Sequence, residues 1–540
     1  MAEPTRRQVL GGTLAGAGAL ALGGCSETPF PGTLGGANRE RGHLLRSRRY
    51  PAVEGAAKEI GVIIAGGGVA GLAAAWRFAE AGYTDFALLE LEDSTGGNAR
   101  SGRNAVSAYP LGAHYLPVPN REAAALRHML RRFGILQGEK QGEKQGAPVY
   151  DPYQLCADLE ERLFWRGEWQ EGLYPATGLA AADSAQRDRF NAAMATYRGA
   201  IGADGKPAFA IPRALSSADP RYTALDAQSF SQWLDAGGYT SAVLRAYLRY
   251  CMRDDYGTEP EQTSAWAGIH YFAGRRGWAA DGDGDRELTW PEGNGRLVSL
   301  MAAAVAPHLR PAHSVFAVRR EGAGVTLNAF DHVAACSRRW HARSVILAVP
   351  HFVASRIAPA EAAQDGFHYA PWVVANVTVS RHPRGPGVGL AWDNVSTGSE
   401  SLGYVVATHQ SQSSGDGPTV LTWYMPLSRE TPAAARKILM TRTLGTWQRL
   451  IADDLLTMNP DLAGAIERID VWCWGHAMAR PSPGFLTDPA RIAAIAARPP
   501  VVFAHSDLSG LSLFEEAHYR GIVAAEAVLG HVHHPFESLL

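Results

Sequence analysis

Lysine is almost missing from this 540-residue chain: only Lys58, Lys140, Lys144, Lys206 and Lys437 occur, and the other 46 of 51 basic residues are arginine. Few ammonium groups are therefore at hand for chemistry that needs a titratable lysine. Cysteine is scarce too. Five in the whole chain exclude a disulfide scaffold, and Cys156, Cys251, Cys336 and Cys473 share no CxxC spacing, which argues against a metal site. Net charge is nearly absent, with 51 basic against 53 acidic residues for a formal −2. Nucleic acid, which demands a basic face, is excluded as a partner. What remains is a chain with 46% apolar and 19% charged residues, neither disordered nor fibrous. At roughly 150 residues per domain, its length corresponds to three or four domain-sized units.

The chain opens with Thr5-Arg6-Arg7, followed by a stretch rich in Gly, Ala and Leu that ends at Gly24-Cys25. A charged start, a short apolar core and small residues before a cut define an export signal, and the core is too short for a membrane span of about 20 residues. The paired arginines resemble a twin-arginine signal, and Leu22-Gly23-Gly24-Cys25 resembles a lipobox with Cys25 as the lipidated residue. The expected location is the periplasm, with membrane contact only through this signal or its lipid. Residues 26–59 carry Pro, Gly and Arg without apolar periodicity and read as a tether.

The first chemical motif follows. Ile60–Ala65 is a short β-branched run, as expected of a buried parallel strand. Gly66-Gly67-Gly68-Val69-Ala70-Gly71 then opens a helix that runs towards Gly82, and Phe86–Glu90 is a second strand ending in an acid. Gly66 permits a tight turn, Gly68 lets the backbone approach a pyrophosphate, and Gly71 lets helix and strand pack closely. The helix start offers free N–H groups to phosphate, and Glu90 is placed to accept ribose hydroxyls. A second glycine pair, Gly96-Gly97, with Arg100 close by, resembles the segment that crosses the pyrophosphate of FAD in one large flavoprotein superfamily.

At this point the sequence resembles the flavin-containing amine oxidase superfamily, which also includes protoporphyrinogen oxidases and carotenoid desaturases. Further blocks carry the resemblance from about residue 60 to 530: Leu111-Gly112-Ala113-His114-Tyr115, Trp290 to Leu297, Val315 with Ser344 to Pro350, Val502 to Asp507, and Phe514 to Ala524. The resemblance implies an α/β chain with a discontinuous Rossmann-like FAD-binding domain (60–150, 286–350, 495–540). An α+β substrate domain (151–285, 351–494) is interleaved with it. It also implies Gly97, Arg100, Gly112, Ala113, His114, Val315, Asp507 and Phe514 as cofactor contacts alongside Gly66, Gly68, Gly71 and Glu90, with FAD held non-covalently.

The same resemblance shows departures. Where the amine oxidases carry a lysine that holds water near the flavin, the strand Trp372–Val379 offers Asn376, and no lysine lies between Lys206 and Lys437. His476 stands near the position of the covalent flavin cysteine, three residues after Cys473. Leu513 and Phe514 occupy the region where a cage tyrosine is expected. Asn376 and His476 are thus the catalytic candidates, and His270, Tyr271, Trp392 and Leu513 the candidate pocket residues. The acidic run Asp281 to Glu292 has calcium-loop spacing but carries Arg286 where that loop needs glycine, so no metal is expected. The implied function is hydride transfer from a C–N or C–C bond of a small substrate to flavin N5, with oxygen, a quinone or another acceptor taking the electrons. A lipid or polyene desaturase or isomerase is one alternative, and a non-enzymatic protein with a vestigial nucleotide fold is the other.

Overall fold

The computed structural model describes residues 29–140, 146–280, 282–363, 366–411 and 417–540. Arg6, Arg7 and Cys25, the export and lipidation candidates, lie outside the described residues.

Two large sheets organise the chain. The first has a doubly wound core in the spatial order Leu309–Arg310, Phe86–Leu89, Lys58–Ala65, Cys336–Leu347, all parallel, with Val501–Phe503 added beside Cys336–Leu347. An antiparallel meander of His313–Glu321 and Gly324–Asp331 leads into the same long strand. Val62, Ile63, Ile64 and Ala65 are fully buried, because a central parallel strand is covered on both faces. Helix Val69–Glu80 covers one face and packs against the final helix Phe514–His531, where Gly521 meets the Ala70 carbonyl too closely for any side chain.

The second sheet has eight strands, ordered Leu34–Gly36, Ile466–Ala479, Tyr369–Val379, Thr419–Pro426, Tyr404–Val406, Asp393–Ser396, Glu161–Trp165, Glu168–Glu171. One face packs on helices Pro432–Thr441 and Leu444–Met458. Helices between Ala181 and Ala273 form a separate aromatic-rich core. The chain crosses between the two sheets repeatedly, so the nucleotide half is assembled from pieces far apart in sequence.

One expectation fails. The described part of 26–59, residues 29–59, is not a tether: Leu34–Gly36 is an edge strand paired in parallel with Val471–Cys473, and Arg39–Ser47 is a helix capped by Asn38. Its anchoring runs through backbone hydrogen bonds, which leave no trace in apolar periodicity.

Candidate functional site

A cavity of about 780 Å³ lies between the two halves. Gly66, Gly68, Glu90, Gly97, Arg100, Ala113, Val315, Asp507, Leu513, Phe514 and His476 all line it. Its floor is two glycine turns set back to back. Gly66 (φ +105) and Gly97 (φ +56) adopt conformations that side chains resist, and Gly96 N–H donates to the Gly67 carbonyl at 2.7 Å. A Cβ on Gly68 would meet only Gly97, 4.0 Å away, and would otherwise project into the cavity. One on Gly71 would fall 1.9 Å from the Gly66 carbonyl, so that glycine serves helix–strand packing. Glu90 accepts from Gly67 N–H at 2.6 Å and Glu92 N–H at 2.8 Å, which fixes the acid at the strand end. Gly112 lies against the Asn98 carbonyl just behind the lining residues.

Asp507 shapes the other end. Its Oδ2 accepts from Tyr369 Oη at 2.5 Å and His351 N–H at 2.8 Å. Its buried Oδ1 has no hydrogen-bond partner, with His505 Nδ1 2.9 Å away. Burial alone would raise this carboxyl, but His505, Tyr369 and the His351 N–H bring it down to about 2. An orphaned carboxylate oxygen, a glycine cradle that a side chain would fill, and a free helix start fit a dinucleotide with hydroxyl and phosphate groups.

His476 stacks on Phe352 with ring centroids 4.3 Å apart, and burial followed by Arg436 pushes its ring down to about 4, so it is neutral near pH 7. Asn376 requires a correction. Its Nδ2 donates to the Pro110 carbonyl at 3.2 Å and its Oδ1 accepts from Thr422 at 2.8 Å, so the side chain is bound between strands and is not among the cavity residues. The strand was read correctly; the side chain is held between Pro110, at the end of strand Ala108–Pro110, and Thr422 on the adjacent strand. His270 is likewise a core residue, bonded to the Ala210 carbonyl at 2.9 Å and stacked on Trp266, and not a pocket wall.

Tyr271 and Trp392 lead to a second feature. Arg275 donates to both oxygens of Asp255 at 2.7 and 2.8 Å and lies over the Tyr271 ring. Around this pair stand Asp254, Glu161, Glu287, Asp393 and Glu515. Glu161 and Asp393 are register partners on adjacent parallel strands. Asp393 accepts from Tyr250 and Tyr424, each at 3.2 Å. Tyr247, Tyr250 and Asp254 share one face of helix Ala242–Tyr256 by their spacing of three and four. Glu287 Oε2 is buried without a partner. Burial, then Asp255, lifts the Asp254 carboxyl to about 8; burial lifts Glu161 and Glu515 each to about 7, and burial also raises Glu287 and Asp393 well above the usual carboxylate range. Asp254, Glu161, Glu287, Tyr115, Tyr250 and Tyr271 all keep part of their surface accessible, although burial dominates the titration of each. An aromatic wall joins this cluster to the cavity: Trp474, which lines the cavity and donates to the Leu111 carbonyl, packs in one group with Trp372, Trp392 and Tyr424. His114 sets its ring edge against Tyr424 at 4.6 Å. Sequence reading missed Asp254, Glu161, Glu287, Tyr250, Tyr424 and the Arg275–Asp255 pair, although it singled out Trp392 beside Asp393.

The profile of the flavin containing amine oxidoreductases matches residues 69–529. The chain belongs to this family. It is an FAD-dependent oxidoreductase. Solved structures with the same fold include a double mutant of putrescine oxidase (17% identity, TM-score 0.65, covering 88% of this chain and 100% of that one). Cyclohexylamine oxidase from Brevibacterium oxydans IH-35A is similar at 16% identity and TM-score 0.62, covering 88% and 99%. A fatty acid isomerase from P. acnes that produces CLA follows at 16% and 0.57, covering 87% and 99%. At such identities these neighbours speak for the fold alone. No curated protein matches the chain at the sequence level.

Proposed function

We propose that this flavoprotein is an exported amine oxidase whose substrate carries a second positive charge. One observation carries the reading: Asp254, Glu161, Glu287 and Asp393 stand close enough to raise one another's carboxyls, and Arg275 beside them is already paired with Asp255. Buried carboxyls without partners are costly to ionise, and a cation entering among them offsets that cost. A fatty-acid head group would add another carboxylate to the same site, so the cluster opposes the lipid alternative. Putrescine oxidase, among the neighbours, is named for a diamine.

FAD, once bound, supplies the acceptor for hydride from the carbon next to nitrogen. The chain's own residues do the rest. The glycine cradle and the start of helix Val69–Glu80 hold the phosphates, with Glu90 and Asp507 receiving hydroxyls. The carboxylates hold the distal ammonium. The wall of Trp372, Trp392, Tyr424 and Trp474 excludes water around the reacting nitrogen and favours its neutral form. Cys473 lines the cavity with its thiol pushed up to about 11 by burial, consistent with non-covalent FAD. Export by the twin-arginine route to the periplasm, with lipidation at Cys25, rests on residues 5–25 alone; a reporter fused to them and followed by cell fractionation tests it.

Anaerobic mixing with diamines, monoamines of equal length and polyene fatty acids tests the substrate reading. The expected result is loss of flavin colour with diamines at concentrations where monoamines and polyenes leave it unchanged. Bleaching by polyenes alone would overturn it.

A further inference from the structure

The segment before the nucleotide strand lies outside the residues that match the family, yet it forms part of the cofactor cavity. Leu34, Gly35, Gly36, Asn38, Arg39 and His43 line it, facing Gly66, Glu90 and Arg100. One end of the segment is docked on the substrate sheet. Ile469 N–H donates to the Pro31 carbonyl at 3.0 Å and Val471 N–H to Thr33 at 2.8 Å, while Thr33 donates twice to Asp470. The approach is close because two glycines permit it. A Cβ on Gly32 would sit 1.9 Å from the Ile469 carbonyl, and one on Gly35 would sit 2.5 Å from the Trp472 ring. The other end is hooked to the nucleotide half. Asn38 N–H donates to Glu92 at 2.8 Å, and Arg41 donates to the Leu91 carbonyl and to Asp93, each at 2.7 Å. These acceptors follow directly on Glu90. The segment thus bridges the two halves across the cavity. Helix Arg39–Ser47 has no buried residue, so its outer side meets solvent while its inner side lines the cavity. Arg39 and His43, both exposed, are among the residues that line the cavity.

We propose that residues 30–48 are a cofactor clasp, docked by Gly32 and Gly35 and latched by Asn38 and Arg41, that closes over bound FAD and slows its release. Few contacts hold the latch, so the segment can open, and opening exposes the dinucleotide. Because coupling between sites is reciprocal, FAD must in turn protect the clasp. The inference rests on FAD binding, which family membership carries, and not on the identity of the amine.

Two measurements test it, neither of them turnover. The first is FAD release into excess apoflavodoxin or charcoal, followed by fluorescence. Arg41→Ala removes the latch and leaves the fold, and Gly35→Val blocks docking; each is expected to release FAD about tenfold faster than the parent protein. The second is limited trypsin digestion. Arg39, Arg41, Arg46, Arg48 and Arg49 lie in or beside the clasp helix, and cleavage there is expected to be about tenfold slower with FAD bound than in the apoprotein. If Gly35→Val does not fold, Arg41→Ala and the digestion still decide. FAD release within about twofold of the parent in Arg41→Ala, or equal cleavage with and without FAD, would overturn the clasp.

Discussion

Asp507 and Asp254 are both carboxyl groups held deep inside the protein, and the protein treats them in opposite ways. Asp507 has one oxygen filled by Tyr369 and the His351 N–H, with His505 beside the other, and is held down to about 2. Asp254 has no hydrogen bond and a like charge at Asp255, and is lifted to about 8. The first site is finished before any ligand arrives: its charge is fixed and its backbone turns are shaped. The second is left incomplete, and in the proposed reading its carboxyls receive a cation. The difference separates a site built for one permanent occupant from a site that must bind and release.

Breaking the finished site has the largest expected effect. Gly68→Val fills the cradle, and the purified protein is expected to carry no flavin absorbance, whereas Asp254→Asn is expected to retain it in full. The incomplete site comes next. Asp254→Asn is expected to lower kcat/KM for a diamine roughly 30-fold, equivalent to about 2 kcal/mol for a buried charge partner, with monoamine turnover changed by less than about threefold. Equal losses on both substrates would refute the division of labour. Asp507→Asn measures the same scale on the other side. A depressed carboxyl stabilises the fold above its unfolded value and loses that contribution as pH falls from about 4 through about 2. The substitution is expected to cost about 2 kcal/mol in urea unfolding at pH 7 and to flatten the acid limb.

Asp254 has the reverse sign. Its folded value lies above the unfolded one, so the empty protein loses stability as pH rises from about 4 to about 8. Diamine binding is therefore expected to raise the melting temperature more at pH 8 than at pH 6, and the gap is expected to close in Asp254→Asn. The smallest effect is expected at Asn376→Ala: a loss of about 1 kcal/mol from two structural hydrogen bonds, with kcat unchanged.

The finished site was legible in the sequence because its parts are local. A strand, a glycine turn, a helix and an acid occupy residues 58–90, and each constrains the backbone in a way that residue type reveals. Gly68 and Glu90 were assigned to the cofactor for that reason, and Asp507 through the family resemblance of Val502 to Asp507. The acidic cluster comes from residues 161, 254, 287, 393 and 515, which only the two-sheet topology brings together. No spacing rule connects them. Asn376 was misjudged for a related reason: the strand was evident, but what its side chain meets depends on Pro110, at the end of the distant strand Ala108–Pro110. The clasp was read as a tether because its docking uses glycines and carbonyls, and a hydrophobic pattern is blind to both.

The clasp also orders events in time. Thr33 bonds to Asp470, 437 residues later in the chain, and Gly35 pairs with Trp472. A strand made near the beginning of synthesis thus has no place to settle until almost the whole protein has left the ribosome. This early segment is among the last to be fixed. Its docking marks a chain that has been completed and folded.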